Sequence, residues 1–373
     1  MPDESLLIRL KRLPKRVIRS YIFKLREISE LYGNDVKSFL IPEAEIPVPE
    51  VEEMRLPEEA KFLGKSPYPF PGGYTALLEN VMYDTVSGVL MSSPNVIIED
   101  SVNADKTPIE FRIRRFFLTR SPERLPDSEV YSVFRSKCNS YYHMLIDNMP
   151  RLYLLGKSGF SDIKLLCPGT LSPQESFIMQ RLLPENVQVE HVEPGKTYLL
   201  PKLLFPSIFT DHFSGYLPKE YLDFMSDRLL PKRPRKRNKR IFISRVKNDR
   251  KYARCILNEK HLYDAIQGYR FEKYCLEKMS MEAQIELFYD AEIVLGAHGA
   301  GLSNVVFSDK ITLLELYPSQ KSLPYFYFIS KALGHQYVSL HGSERFYNAN
   351  FAVDVEAVVA QLDRLLSSEP AGL

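Results

Sequence analysis

Hydrophobic positions recur along this chain at two periods, and each change of period marks an element. Leu10, Leu13, Val17, Tyr21, Leu25 and Ile28 fall three or four residues apart, which predicts one helical stripe, with Pro14 starting or splitting it. From about residue 75 to 120 the apolar residues come in short β-type pieces, among them 96–98 and 111–113. A helical pattern over 141–155 follows, then a strand at 163–167, a helix from 173 to 183 and a strand at 187–189. The pattern restarts with a strand at 241–243, a helix over 258–266 and a short strand at Phe271. Ser280 can cap a helix reaching Asp290. Strands at 293–295 and 311–316 and an amphipathic helix over 353–366 complete the series. Strands alternating with helices predict parallel α/β architecture.

Two compositional breaks divide this pattern. Residues 41–59 hold four prolines and seven Glu against one Arg, which predicts an extended linker without a core. Residues 232–240 hold seven basic side chains in nine positions. The expected layout is therefore a basic amphipathic helical segment over 1–40 and a Pro/Glu-rich linker over 41–70. An acceptor-side α/β domain over 71–230 and a basic linker at 231–240 follow. A donor-binding α/β domain over 241–350 precedes a C-terminal helix and tail over 351–373. The 373-residue length suits two domains.

Charge and cysteine content narrow the class. Lys and Arg total 49 against 47 acidic residues, so any basic surface must be local. No run of 18 apolar residues and no secretory pattern occur, and the four cysteines are scattered without a Cys-x-x-Cys pair. The expected address is a reducing cytosol. The N-terminal helix and residues 232–240 suggest attachment at an anionic inner membrane face, with a solvated tether as the alternative for the basic run. Nucleic acid is the least fitting partner, because the basic run stands alone rather than spread over a folded face.

The richest chemistry lies in the window from Ile293 to Asn304, where Gly296, Gly299 and Gly301 fall within six residues after a strand. Such a loop brings backbone N–H groups of Gly299, Ala300 and Gly301 toward a phosphate, and His298 adds a donor. The alternative is a tight turn whose glycines serve packing. Arg245 follows the strand at 241–243, where α/β sheets bind ligands, and its planar fork, like that of Arg254, suits a diphosphate. Arg250 has weaker support. Glu315 closes a buried strand and suits ribose hydroxyls or a structural arginine. His143 and Asp147, four apart on one helix face, form a possible proton-accepting pair, or else a satisfied core pair.

The runs HMLIDNMPRLYLL, ISR with Arg254 and Asn258-Glu259, AEIVLGAHGAGLSNVVF and LLELYP together resemble glycosyltransferase family 61 over roughly residues 130–345. The resemblance implies a GT-B fold, two Rossmann-like α/β domains facing across a cleft with the C-terminal helix packing back. It implies an inverting, metal-independent transfer from a nucleotide sugar to a glycan or lipid-linked glycan, with no cofactor. Read with the residues above, the candidate donor ligands are Arg245, Arg254, Asn258, Gly299, Ala300, Gly301, Asn304 and Glu315, and the candidate catalytic groups are His298, His143 and Asp147, the last two unseparated as the base, which the motif alone does not settle. Lacking an anchor, the chain looks most like a bacterial, capsule-type branch. No Asp-x-Asp triplet occurs to hold a metal on a diphosphate. A catalytically silent nucleotide- or sugar-binding scaffold is the competing class.

Overall fold

The computed structural model describes residues 24–85, 88–102, 122–134, 140–210, 214–245, 254–318, 322–342 and 350–367. The expected helical stripe before residue 24 and the expected strand at 111–113 lie outside these residues. The described parts group into two compact units, Met1–Ala44 with Pro69–His212, and Glu45–Tyr68 with Phe213–Leu373.

The first unit is built on one mixed sheet. Its strands are β1 (Lys24–Arg26), β2 (Lys37–Ile41), β5 (Gly73–Asp84), β6 (Val89–Ser93), β7 (Val96–Ile98), β8 (Glu123–Arg124), β9 (Tyr131–Val133), β10 (Ile163–Pro168), β11 (Val187–Val192) and β12 (Thr197–Pro206). Two short strands, β3 (Ala44–Ile46) and β4 (Tyr68–Phe70), pair separately. The main order is β1-β7-β6-β5-β12-β9-β10-β11, with β2 added on β5. Among the described strands β9, β10 and β11 carry the parallel α/β pattern that helix–strand alternation predicts, and β12 runs parallel to β9 and β8, but β5 pairs antiparallel with β2, β6 and β12. The half is therefore not a simple Rossmann sheet. Twelve-residue β5 and ten-residue β12 form one long antiparallel ribbon through the unit's core. Leu25 sits in β1, paired with Ile97, so the helical stripe does not extend to it. Ile28 belongs to a separate short helix, Ile28–Tyr32.

The second unit carries a five-stranded, all-parallel sheet. Its strands are β13 (Lys239–Ile243), β14 (Phe271–Tyr274), β15 (Ala291–Ala297), β16 (Thr312–Tyr317) and β17 (Gln336–His341), ordered β14-β13-β15-β16-β17. Counted from β13, this is 2-1-3-4-5, the doubly wound order whose direction reverses between its first and third strands. The near-continuous apolar runs of β13, β15 and β16 follow from burial on both faces. The Ser280 cap is present, its Oγ accepting from Ala283 N–H 3.2 Å away at the start of helix Met281–Tyr289. The last helix, Val355–Ser367, buries Val355, Val358, Leu362 and Leu365 in this unit's core.

Both supposed linkers are folded structure of the second unit. In the Pro/Glu-rich stretch Val48, Val51, Ala60 and Leu63 are buried. Glu50 pairs with Lys331 at 2.6 Å, and Ser322 N–H donates to Arg55 O. Alternation alone conceals this, because short 3₁₀ turns bury isolated valines and leave the glutamates in water. The basic run is likewise docked. Arg233 binds Asp290 and Glu286, Arg235 donates to the carbonyls of Tyr289 and Phe307, and Arg237 pairs with Asp309. Lys239 and Arg240 pair with Glu272 and Glu292. These five of the seven cations at 232–240 are thus paired with protein groups, so the run is part of the folded unit rather than a free basic tether. The boundary between units falls at His212/Phe213 rather than at this run. No helix among the described residues is long and apolar enough to cross a membrane.

Candidate functional site

The second unit concentrates its polar chemistry at its topological switch point, where open α/β sheets leave a crevice beyond the strand ends. Ile243 of β13 is in register with Gly296 of β15, so Arg245 and His298 both lie two residues past a matched pair. Gly296 is there because a Cβ would come within 3.1 Å of Ile243 Cβ. Gly299 has a different reason: a Cβ would sit 2.6 Å from a terminal nitrogen of Arg245, so the missing side chain is the bed for that guanidinium. Gly301 would strike Leu276 Cδ1 at 3.1 Å, which is packing.

Arg245 and Arg254 form the electropositive part of this neighbourhood. Burial pushes Arg245 below its ordinary value, and burial with the nearby Arg245 charge pushes Arg254 down to about 10. Arg254 Nε is buried without a hydrogen-bond partner among the described residues. Two partly buried cations close enough to repel favour an anion of two charges, because each guanidinium can fork onto phosphate oxygens. Arg250 lies outside the described residues.

His298 is fixed beside this pair. Its Nδ1 lies 2.5 Å from Glu315 Oε1, and Tyr337 Oη donates to Glu315 Oε2 at 2.7 Å. Tyr317 stacks on its ring with centroids 5.1 Å apart, and Tyr325 does so at 6.3 Å. With Nδ1–H given to the carboxylate, Nε2 is the nitrogen left for chemistry. Glu315 is 0% exposed and has both oxygens engaged, so it is not the ribose ligand expected; it orients His298.

Two other expected donor ligands are structural. Asn258 donates from Nδ2 to Val353 O and accepts Val353 N–H at Oδ1, clamping the chain before the last helix. Asn304, fully buried, donates to Gln284 Oε1, whose amide holds the carbonyls of Leu276 and Met279. Ala300 starts the 3₁₀ turn Ala300–Phe307, with Leu302 N–H donating to Gly299 O. Of the glycine-rich run, then, His298 and Gly299 face the candidate site's Arg245 and Glu315, whereas Gly301 and Asn304 serve packing.

The first unit carries a second histidine–carboxylate pair. Helix Met149–Lys157 is preceded by a π-type stretch, His143–Asn148, a widened turn often found at functional positions. Asn148 Nδ2 donates to His143 O at 2.9 Å and braces that turn. His143 Nδ1 lies 2.5 Å from Asp147 Oδ2, and Thr210 Oγ1 donates to Asp147 Oδ1 at 2.7 Å. Asp147 is buried with both oxygens bonded, the arrangement of a positioning group, which leaves the ring of His143 as the candidate for proton exchange. Both pairs thus share one design, with a hydroxyl fixing the carboxylate that fixes the histidine. Sequence reading missed both hydroxyls, Thr210 and Tyr337, because each is a lone polar residue in or after a strand it did not recognise. Among the described residues no group of three or more His, Cys, Asp or Glu side chains is arranged to hold a metal.

Residues 141–314 match the family model described as Glycosyltransferase 61. Beta-1,2-xylosyltransferase RCN11 of Oryza sativa subsp. japonica is 32% identical over 113 residues, 27% of this chain and 21% of that protein. Beta-1,2-xylosyltransferase of Arabidopsis thaliana is 27% identical over 127 residues, 30% of this chain and 23% of that protein. The matched segment spans less than a quarter of either relative. Both are plant proteins, so they lend no support to the bacterial, capsule-type branch expected from the sequence. The stretch bearing His143, Asp147, Arg245, Arg254 and His298 is thus similar to glycosyltransferase family 61.

Proposed function

We propose that this chain is an inverting glycosyltransferase that moves a sugar, a pentose such as xylose in the first instance, from a nucleotide donor to a glycan. The observation that carries the reading is the desolvated Arg245–Arg254 pair beside His298 at the switch point of the parallel sheet. The match to Glycosyltransferase 61 and the two β-1,2-xylosyltransferase relatives support it.

In this mechanism the second unit holds the donor. Arg245 and Arg254 take the diphosphate oxygens, and the amides starting the turn at Gly299 add donors. Charge that a metal would otherwise meet is met by these groups. His143, held by Asp147, is the base in this reading. The acceptor hydroxyl gives its proton to His143 Nε2 while its oxygen forms a bond to the anomeric carbon. The bond from that carbon to the diphosphate oxygen breaks, and its electron pair leaves with the nucleotide. His298, held by Glu315, donates a hydrogen bond from Nε2 to the departing diphosphate when protonated. An α-linked donor attacked from the opposite face gives a β-linked product, the linkage in the relatives' names.

The test is transfer itself. The purified protein is incubated with UDP-xylose and other nucleotide sugars, glycan acceptors and EDTA, and nucleotide release is compared with new glycoside. Acceptor-dependent β-glycoside formation that survives EDTA supports the reading. Donor binding without any transfer would favour the silent scaffold instead.

A further inference from the structure

Thr210 belongs to two neighbourhoods. It holds Asp147 through its hydroxyl, and it also lines a cavity of about 450 Å³ in the first unit, together with Phe39, Glu43, Tyr74, Glu99 and Asp100. That volume lies within the range of small-ligand sites and accommodates one or two pyranose rings.

The lining states the ligand chemistry. Phe39 is 48% exposed, unusual for so large an apolar ring, and tilts against Tyr74 with centroids 5.4 Å apart. Four carboxylates, Glu27, Glu43, Glu99 and Asp100, line the cavity with one lysine, Lys37. Asp100 belongs to the wall: it accepts from Ile28 N–H and Tyr74 Oη and pairs with Lys37 at 3.2 Å. Glu43 and Glu99 remain exposed at the rim. This excess of negative charge repels a phosphate-bearing ligand. A neutral sugar suits it on both counts, since its C–H face packs on an aromatic ring and its hydroxyls donate to carboxylates.

We propose that this cavity is the acceptor subsite, binding a neutral pyranose unit of the acceptor glycan beside the His143–Asp147–Thr210 relay. The inference rests on the reading of His143 as the base, and it assigns the acceptor and donor to sites of opposite charge.

Saturation-transfer NMR with methyl pyranosides of xylose, mannose, galactose and glucose tests it on the full chain. UDP binding is followed in parallel by thermal shift. The expected result is saturation of at least one methyl pyranoside by the wild type, with a five-fold or greater loss in Phe39→Ala and in Glu99→Gln. Both changes lie on exposed side chains, and the UDP shift should be unaltered in each. No pyranoside signal with the wild type, or signals unchanged in both variants, overturns the subsite. A pyranoside signal lost in the variants, with no UDP shift even in the wild type, upholds a sugar site and removes the transferase reading instead.

Discussion

His298, the residue after β15, and Glu315 of the adjacent parallel strand β16 meet at 2.5 Å through Nδ1 and Oε1, with Tyr337 holding the second carboxylate oxygen. The pairing fixes one tautomer and turns Nε2 outward from the carboxylate. Replacing Glu315 by Gln removes the charge while keeping the shape. Transfer is expected to fall by on the order of 10²–10⁴ in kcat, with donor KM nearly unchanged. A purely structural Glu315 would lower stability and leave the kcat of the folded fraction in place.

His143 and Asp147 separate by role in the same way. His143→Ala should abolish transfer and retain nucleotide binding, measured by calorimetry on the same preparation. Asp147→Asn should slow transfer while nucleotide binding is retained, since the neutral amide can no longer hold the ring of His143 by a charge-assisted hydrogen bond. Thr210→Val should act in the same direction with a smaller effect, as it loosens Asp147 without removing it.

Gly299 offers a test free of charge changes. Its Cβ position lies 2.6 Å from the Arg245 guanidinium, so Gly299→Ala must push that group aside. Nucleotide diphosphate binding should weaken as in Arg245→Ala, on the order of tenfold or more for loss of a charge-assisted contact. Gly301→Ala, which meets only a flexible leucine tip, should lower the melting temperature slightly and leave nucleotide affinity alone.

How much of this was visible beforehand divides along physical lines. The second unit was legible because parallel strands buried on both faces read as apolar runs, and Ile241–Ile243, Ile293–Leu295 and the Ser280 cap fall where expected. In the first unit the strands at 96–98, 163–167 and 187–189 and the helix from 173 fall where expected, but the long ribbon does not show, because β5 and β12 mix buried and exposed residues over ten or more positions without strict alternation. In the site, Arg245, His298 and the His143–Asp147 pair were readable from local spacing. Glu315, Asn258 and Asn304 were assigned to the ligand because sequence shows residue type and not partners; in each case a buried neighbour distant in sequence claims the polar atoms. The basic run misled for the same reason, its carboxylate partners lying 33 to 72 residues further along.

His335 gives a pH dependence of stability. It is buried, donates from Nε2 to Val305 O and accepts Ile311 N–H at Nδ1, and burial pushes its imidazole down to about 4. The unfolded chain takes up a proton near pH 6.5 and the folded one only near 4, so stability is full above 6.5 and falls as the pH drops toward 4. The loss amounts to about 3 kcal/mol across that window. Melting curves from pH 7 to 4 should show this decline, and His335→Gln should flatten it.

The central claim is that the switch point of the parallel sheet holds a nucleotide diphosphate on Arg245 and Arg254. Calorimetric titration of the wild type with UDP, UMP and uridine in EDTA tests it most directly, repeated on Arg245→Ala. The account predicts affinity rising from uridine through UMP to UDP, with the UDP advantage lost in the variant. Equal binding of uridine and UDP, or UDP binding unchanged in Arg245→Ala, would contradict it.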